Sequence, residues 1–204
     1  EADRARLHAR LAAALAGGNA DPVELAGHLA GAGDSEAAAR QYATAAGQRV
    51  EGADDAGVAE LVDAGLALAD RGEPRNRLLE VRARLRARRG DLPGARSDLR
   101  EALIAEPDLA ARSGLRARLA MLYSGAEDVD RAAGLAELAV LDAGDDPAAL
   151  ARALEVAAIV DMNREQPHRS ARRFDRALEL YQERHDAAGA ARILDGRAMA
   201  TFLD

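Results

Sequence analysis

The sequence contains no cysteine, no lysine and no tryptophan, and only two of its 204 residues are phenylalanine. Without cysteine the chain forms no disulfide and no thiolate metal site, which fits a reducing compartment. Hydrophobic residues still make up 49% of the chain, and alanine and leucine supply most of them. Both favour helices, whereas the β-branched residues that favour strands are scarce. This composition predicts thin layers of closely packed helices rather than one thick interior.

The sequence also lacks the patterns that indicate a membrane-spanning or exported segment. No stretch approaches the roughly 18 to 20 apolar residues that cross a bilayer, and no signal-peptide pattern stands at the start. We therefore expect a cytoplasmic chain without membrane contact. The net charge of −7 weighs against a nucleic-acid surface. Because the sequence opens at Glu1 inside a helical pattern, we expect a piece of a longer protein.

Proline and glycine divide the sequence at regular intervals. Asp21-Pro22-Val23-Glu24 combines an N-cap, a proline at the first helical position and a glutamate at the third, and Asp146-Pro147 repeats the first two features. The apolar spacing between such breaks predicts about ten or eleven helices, and short links place consecutive helices antiparallel. The predicted spans are 2–17, 21–32, 35–51, 54–71, 74–89, 92–106, 108–123, 127–143, 147–163, 167–185 and 187–203.

Residues 90–107 resemble the second half of a tetratricopeptide repeat. In that family a Gly-Asp turn is followed by a small residue, a larger apolar residue, an Ala-Leu pair and a closing proline. The matching residues here are Gly90, Asp91, Ala95, Leu99, Ala102, Leu103 and Pro107. Upstream, Leu79 and Ala83 fit the first helix of the repeat, but Arg86 stands where the family has a tyrosine. The resemblance implies that Ala95, Leu99 and Ala102 share one face of the second helix and pack against the first.

The same register recurs with less fidelity along the chain. Its small-residue positions, Gly57, Ala95, Ala132 and Ser170, are separated by 38, 37 and 38 residues. The even spacing predicts an all-α stack of about five antiparallel helix pairs, and the resemblance implies that it is a right-handed tetratricopeptide-like α-solenoid. We predict one domain over 1–204, with a leading helix in 1–20, repeats in 21–186 and a terminal capping helix in 187–204.

The first thirty-four residues carry a second resemblance. The segments Leu7-His8-Ala9-Arg10-Leu11, Asp21-Pro22-Val23-Glu24-Leu25-Ala26-Gly27-His28-Leu29 and Ala32-Gly33-Asp34 resemble a junction in actinobacterial regulators. There a signal-transduction ATPase module precedes tetratricopeptide-like repeats, often with a LuxR-type DNA-binding domain at the end. The resemblance implies a sensor or scaffold segment of a transcriptional regulator. A free-standing adaptor, or a regulatory segment of a nucleotide cyclase or protein kinase, is the alternative.

Motifs for catalysis are missing from the sequence. A Walker A loop is impossible without lysine, no HExxH or GxSxG element occurs, and the four histidines are not spaced as metal ligands. The resemblance implies that His28 is a helix-packing residue. We therefore expect no enzyme activity, no catalytic residue, no metal and no cofactor. The expected partner is a protein or peptide, or a small effector, bound in a concave groove, with no nucleic acid.

The most unusual local feature is an arginine-rich helix at 75–89. Arg77, Arg84 and Arg88 fall on one face because they are separated by seven and four residues, and we call these three residues the Arg stripe. In the tetratricopeptide register the first helix of each pair lines the groove, so the stripe predicts binding of a carboxylate-bearing or phosphorylated partner. The alternative is a solvated helix face neutralised by neighbouring glutamates and aspartates.

Overall fold

The computed structural model describes residues 2–18, 20–125 and 128–202, and every regular element in these residues is an α-helix. The predicted all-α class is therefore confirmed. The ends of the predicted leading and capping helices, at residues 1, 19, 203 and 204, lie outside the described residues. The helices are α1 (Ala2–Ala16), α2 (Pro22–Ala32), α3 (Ser35–Arg49), α4 (Asp55–Leu66), α5 (Glu73–Arg88), α6 (Leu92–Ala105), α7 (Leu109–Ser124), α8 (Val129–Ala143), α9 (Pro147–Asn163), α10 (Pro167–Glu183) and α11 (Ala187–Phe202).

Aspartate side chains define where most of these helices begin. Each accepts a hydrogen bond from a backbone N–H in the first helical turn and so satisfies a donor that the helix itself leaves free. The capping residues are Asp21, Asp34, Asp54, Asp91, Asp108, Asp128, Asp146 and Asp186. The start signals predicted at Asp21 and Asp146 are confirmed.

Helix α4 ends at Leu66 and is therefore shorter than its predicted span of 54–71. Beyond that point the chain leaves the helix, and Ala69 is buried. The backbone carbonyl of Ala69 accepts a hydrogen bond from Nη1 of Arg75 at 3.0 Å. Gly72, at φ 88°, then makes a turn that a residue with a Cβ atom adopts only with strain. The segment between α4 and α5 is therefore held by a local hydrogen bond to Arg75 and by the turn at Gly72.

The best copy of the predicted register is confirmed by burial. Ala95, Leu99 and Ala102 of α6 are at most 2% exposed, and Ala132 and Ser170 of the later copies are fully buried. Small side chains at these positions let the two helices of a pair approach closely, as the resemblance implies.

The register of the copy in α4 is shifted by one residue from the prediction. Gly57 is not the packed small residue: its N–H is capped by Asp54, and a Cβ atom there would lie 2.2 Å from that carboxylate. The next residue, Val58, is 1% exposed and holds the place that Ala95 holds in α6. The spacing from Val58 to Ala95 is 37 residues, which brings this copy closer to the others.

The chain forms two compact units, Glu1–Ala105 and Glu106–Asp204. Within the first unit, helices α1 to α6 each pack on the next, and α3 also packs on α5. Within the second unit, α7 to α11 do the same, and α7 also packs on α9. Helices α3 and α5 in the first unit, and α7 and α9 in the second, therefore contact each other across successive pairs, as in stacked helical repeats.

Close helix approach in the first unit depends on a glycine. Gly65 of α4 is buried, and a Cβ atom at this position would lie 2.7 Å from Leu78 of α5 and 3.1 Å from Cβ of Tyr42 in α3. Leu78 is itself fully buried among Val58, Val62 and Leu85. The apolar cluster of α3, α4 and α5 around Leu78 therefore holds α5 in place.

Candidate partner-binding site

The arginines of the predicted Arg stripe all lie on α5, whose apolar residues anchor it in the first unit. Leu78, Leu79 and Leu85 are almost fully buried, so the helix cannot rotate without exposing them. This anchoring directs Arg77, Arg84 and Arg88 outward, with side chains that are 61%, 29% and 39% exposed.

A cleft of about 310 Å³ lies between α3 and α5, and we call it the α3–α5 cleft. Its lining residues are Ala43, Thr44, Gly47 and Gln48 of α3 with Arg77, Glu80, Val81 and Arg84 of α5. Two members of the Arg stripe therefore line one cleft, and Arg88 is not among its lining residues. The floor is apolar, since Ala43 and Val81 are 3% and 6% exposed, and the walls are polar. A cleft with this lining offers both apolar contact and charged hydrogen-bonding groups to a bound molecule.

Each arginine of the stripe is paired with a carboxylate of the same chain. Arg77 Nε lies 2.6 Å from Oε1 of Glu73, one helical turn earlier. Arg88 Nη2 lies 2.5 Å from Oδ1 of Asp55, at the start of α4. The stripe is therefore charge-balanced, as the alternative interpretation of a neutralised helix face expects.

Arg84 is paired twice. Its Nη1 donates to Glu51 at 2.6 Å, and its Nη2 donates to Glu80 at 3.3 Å. The pair with Glu51 is exposed, and exposed pairs contribute only about 0–1 kcal/mol, so a partner that brings its own carboxylate is able to replace it. Whether the stripe binds a partner stays a prediction.

Two further arginines of α5 have a structural role instead. Asp98 of α6 is 2% exposed and accepts hydrogen bonds from Nε and Nη2 of Arg82 at 3.0 and 2.8 Å. Nη1 of Arg86 lies 2.8 Å from the same carboxylate. The hydrogen bond to Asp98 raises the pKa of Arg82 against the opposing effect of burial. These contacts join α5 to α6 and turn Arg82 and Arg86 away from the stripe.

The sequence revealed only part of this site. Glu73 and Glu80 stand four residues before Arg77 and Arg84, so their pairs follow from helical spacing. Glu51 lies in the link between α3 and α4, and Asp55 is the first residue of α4. Nothing in the local sequence indicates that they reach α5. Gly47 of α3 also lines the cleft, and the sequence did not indicate this role. A Cβ atom at Gly47 would meet nothing within 4 Å.

The four predicted non-catalytic histidines include one close pair. Nδ1 of His8 in α1 lies 3.0 Å from Nδ1 of His28 in α2. Gly31 makes room for this contact, since a Cβ atom at Gly31 would lie 2.7 Å from the His8 ring. Among the described residues, no group of three or more histidines, aspartates or glutamates is placed to hold a metal ion. The pair thus joins α1 to α2, in keeping with the packing role expected of His28.

Comparisons with known proteins identify the fold. No family model matches the sequence, and no curated protein matches it. The structure is similar to BtubC (BKLC) from P. vanneervenii, at 17% identity and a TM-score of 0.67, over 98% of this chain and 80% of that one. It is also similar to YrrB, a TPR protein with an unusual peptide-binding site, at 15% identity and a TM-score of 0.54, over 85% of this chain and 90% of that one.

A third similar structure is MamA, at 12% identity and a TM-score of 0.55, over 79% of this chain and 96% of that one. Similarities at these identities show the fold, which is the tetratricopeptide-like α-solenoid that the repeat spacing predicted. In the part of the chain that the structure describes, no helix is long and apolar enough to span a membrane.

Proposed function

We propose that this chain is a non-catalytic binding segment that holds a protein or peptide partner, or a small effector, in the α3–α5 cleft. One observation carries the proposal: Arg77 and Arg84 stand on the polar walls of a 310 Å³ cleft with an apolar floor. The fold supports it, because stacked helix pairs present extended surfaces that bind other chains. The peptide-binding site of YrrB, a protein of similar fold, gives the same support. Because guanidinium groups form charge-assisted hydrogen bonds with carboxylates, the partner expected to replace the stripe's present carboxylates is acidic.

We further propose that the segment belongs to a multidomain transcriptional regulator, as its sensor or scaffold. Only the resemblance of residues 7–34 to the junction of actinobacterial ATPase regulators supports this context. A free-standing adaptor, or a regulatory segment of a cyclase or kinase, remains the alternative. The complete reading frame tests the context: a Walker A motif upstream with a helix-turn-helix downstream supports the regulator, and a gene that encodes only the repeats contradicts it.

The binding test replaces Arg77, Arg84 and Arg88 together by glutamine, which keeps much of each side chain's aliphatic stem in place. The probe is a fluorescein-labelled hexaglutamate peptide, and its affinity is measured by fluorescence anisotropy. Exposed ion pairs contribute about 0–1 kcal/mol each, so we expect the loss of three such pairs to weaken binding about tenfold. Circular dichroism should show unchanged helicity.

The matched control removes the same charge from α1 of the same unit. Arg4, Arg6 and Arg10 are exposed, and their triple glutamine variant should bind the probe like the wild type. Equal affinity of the wild type and the stripe variant would reject the Arg stripe as the binding surface. Equal weakening by both triple variants would mean that only net charge attracts the probe.

A further inference from the structure

The link between α3 and α4 is acidic and lies against the Arg stripe. Residues 50–55, which we call the acidic connector, contain three carboxylates and no basic residue. Asp54 is occupied in capping α4, where it accepts from the N–H of Gly57 at 2.9 Å. The other two carboxylates, on Glu51 and Asp55, are directed to α5.

These two carboxylates engage two arginines of the stripe. Glu51 Oε1 lies 2.6 Å from Nη1 of Arg84, and Asp55 Oδ1 lies 2.5 Å from Nη2 of Arg88. The backbone carbonyl of Asp55 also accepts from Nη2 of Arg89 at 3.3 Å. Carboxylates four residues apart in the connector thus meet guanidinium groups four residues apart on α5. The connector displays, within the chain, the ligand chemistry that the stripe accepts.

The two connector contacts differ in how firmly they are held. The Asp55 carboxylate is 32% exposed and Asp55 is the first residue of α4, so the fold fixes its position. The Glu51 side chain is 79% exposed and lies outside any helix. An exposed pair such as Glu51–Arg84 is weak and readily exchanged. Glu51 is therefore the contact that a competing carboxylate displaces first.

We propose that the acidic connector is an internal competitor of an acidic peptide partner, with Glu51 covering Arg84 until a partner carboxylate replaces it. This inference rests on the proposed function, since it describes how the binding of that partner is regulated. Charge complementarity supports the peptide as the occupant, because the connector is itself an acidic peptide segment on the same arginines. A partner must then break the Glu51–Arg84 pair in order to bind. The free energy of this pair lowers the affinity of the partner, so weakly acidic segments are excluded.

The test is Glu51→Gln in the full chain, with the hexaglutamate probe and anisotropy at low salt. Removing a competing exposed ion pair should tighten binding about two- to fivefold. The matched control is Glu24→Gln on α2, an exposed residue whose replacement changes net charge equally and should leave affinity unchanged. In the background of Arg84→Gln, the effect of Glu51→Gln should disappear, because the two changes then act on one interaction.

The possible outcomes separate this inference from the proposed function. If Glu51→Gln binds like the wild type, and the stripe variant has lost binding, the internal competitor is rejected and the binding site stands. If Glu24→Gln tightens binding as much as Glu51→Gln does, net charge is the cause and the competitor is again rejected. If no variant binds the probe, including Glu51→Gln, both the competitor and the acidic-partner site are rejected.

Discussion

At the scale of single residues, Asp98 explains why α5 departs from the tetratricopeptide pattern. Arg86 stands where that family has a tyrosine, and the structure gives the replacement a partner: Arg86 and Arg82 both reach the buried carboxylate of Asp98. An aromatic ring fills the space between two helices by its volume. Here two guanidinium groups and one carboxylate fill it by charge and hydrogen bonding, in a chain with only 2% aromatic residues.

We expect Asp98→Ala to lower the free energy of unfolding by about 2–3 kcal/mol. Removing one partner of a fully buried pair costs about 3–5 kcal/mol, and the loss is smaller here because Arg82 and Arg86 are 27% and 34% exposed and regain water. Urea unfolding followed by circular dichroism measures the change. Glu60→Ala, at an exposed residue of α4, should stay within about 0.5 kcal/mol of the wild type. A similarly small effect of Asp98→Ala would contradict the structural role of this carboxylate.

At the scale of helices, the arrangement at Asp98 recurs in the second unit. In each case one carboxylate faces two arginines one turn apart on the neighbouring helix of a pair. Asp142 of α8 faces Arg112 and Arg116 of α7 at 3.4 and 2.5 Å. Asp161 of α9 faces Arg169 and Arg173 of α10 at 3.5 and 2.9 Å. Burial raises the pKa of Asp161 despite these two cations, so the pairs join the helices at some cost in desolvation.

The aspartate caps give the helices a dependence on pH, and Asp146 shows its direction. Its carboxylate accepts from the N–H groups of Ala149 and Ala148, both at 2.8 Å. The bond to Ala149 lowers the pKa of Asp146, against a smaller opposing effect of burial. Because the pKa is lower in the folded chain, this contribution to stability is present above the unfolded pKa of about 3.9 and is lost as the pH falls through the folded value.

We therefore expect Asp146→Ala to cost about 1 kcal/mol at neutral pH, and Asp146→Asn to cost little because asparagine caps almost as well. As the pH falls below about 4, the wild type should lose stability relative to Asp146→Asn, whose cap does not titrate. Urea unfolding at about pH 7 and about pH 3 measures both effects. Asp145→Asn is the charge-matched control at neutral pH. A difference between wild type and Asp146→Asn that stays constant with pH would refute the capping argument.

At the scale of the whole molecule, the chain forms two compact units, Glu1–Ala105 and Glu106–Asp204. One domain over 1–204, with repeats in 21–186, stays a prediction. The even spacing of the packed register positions supports it, because Val58 to Ala95 and Ala95 to Ala132 are both 37 residues. The latter interval joins a residue of the first unit to a residue of the second.

Hydrogen exchange tests whether one domain unfolds cooperatively. Ile193→Val changes a fully buried residue of the second unit and should cost about 0.5–1.5 kcal/mol. In one cooperative domain, the slowest-exchanging amides of both units lose protection equally. Leu194→Met, at the exposed neighbouring residue, should change protection in neither unit. Unchanged protection in the first unit, together with a loss in the second, would show two domains.

The sequence by itself determined the class of fold and the order of the helices. Helices start at Asp-Pro pairs and end at glycines, and small residues recur where helices pack. Each of these signals acts over a few neighbouring positions, so it can be predicted from the sequence. The Arg stripe could be predicted for the same reason, since helical spacing places Arg77, Arg84 and Arg88 on one face. The register predicted at Gly57 was wrong by one residue. A capping position and a packing position are adjacent there, and both accept small residues.

Only the tertiary structure decided what these arginines meet. The cleft exists because α3 packs on α5. The charge of Arg84 and Arg88 is balanced because the acidic connector places Glu51 and Asp55 beside them. Glu51 and Arg84 are 33 positions apart in the chain, and so are Asp55 and Arg88. The physical reason is that side-chain charge acts through space, whereas sequence patterns report only what lies within a few turns of one helix.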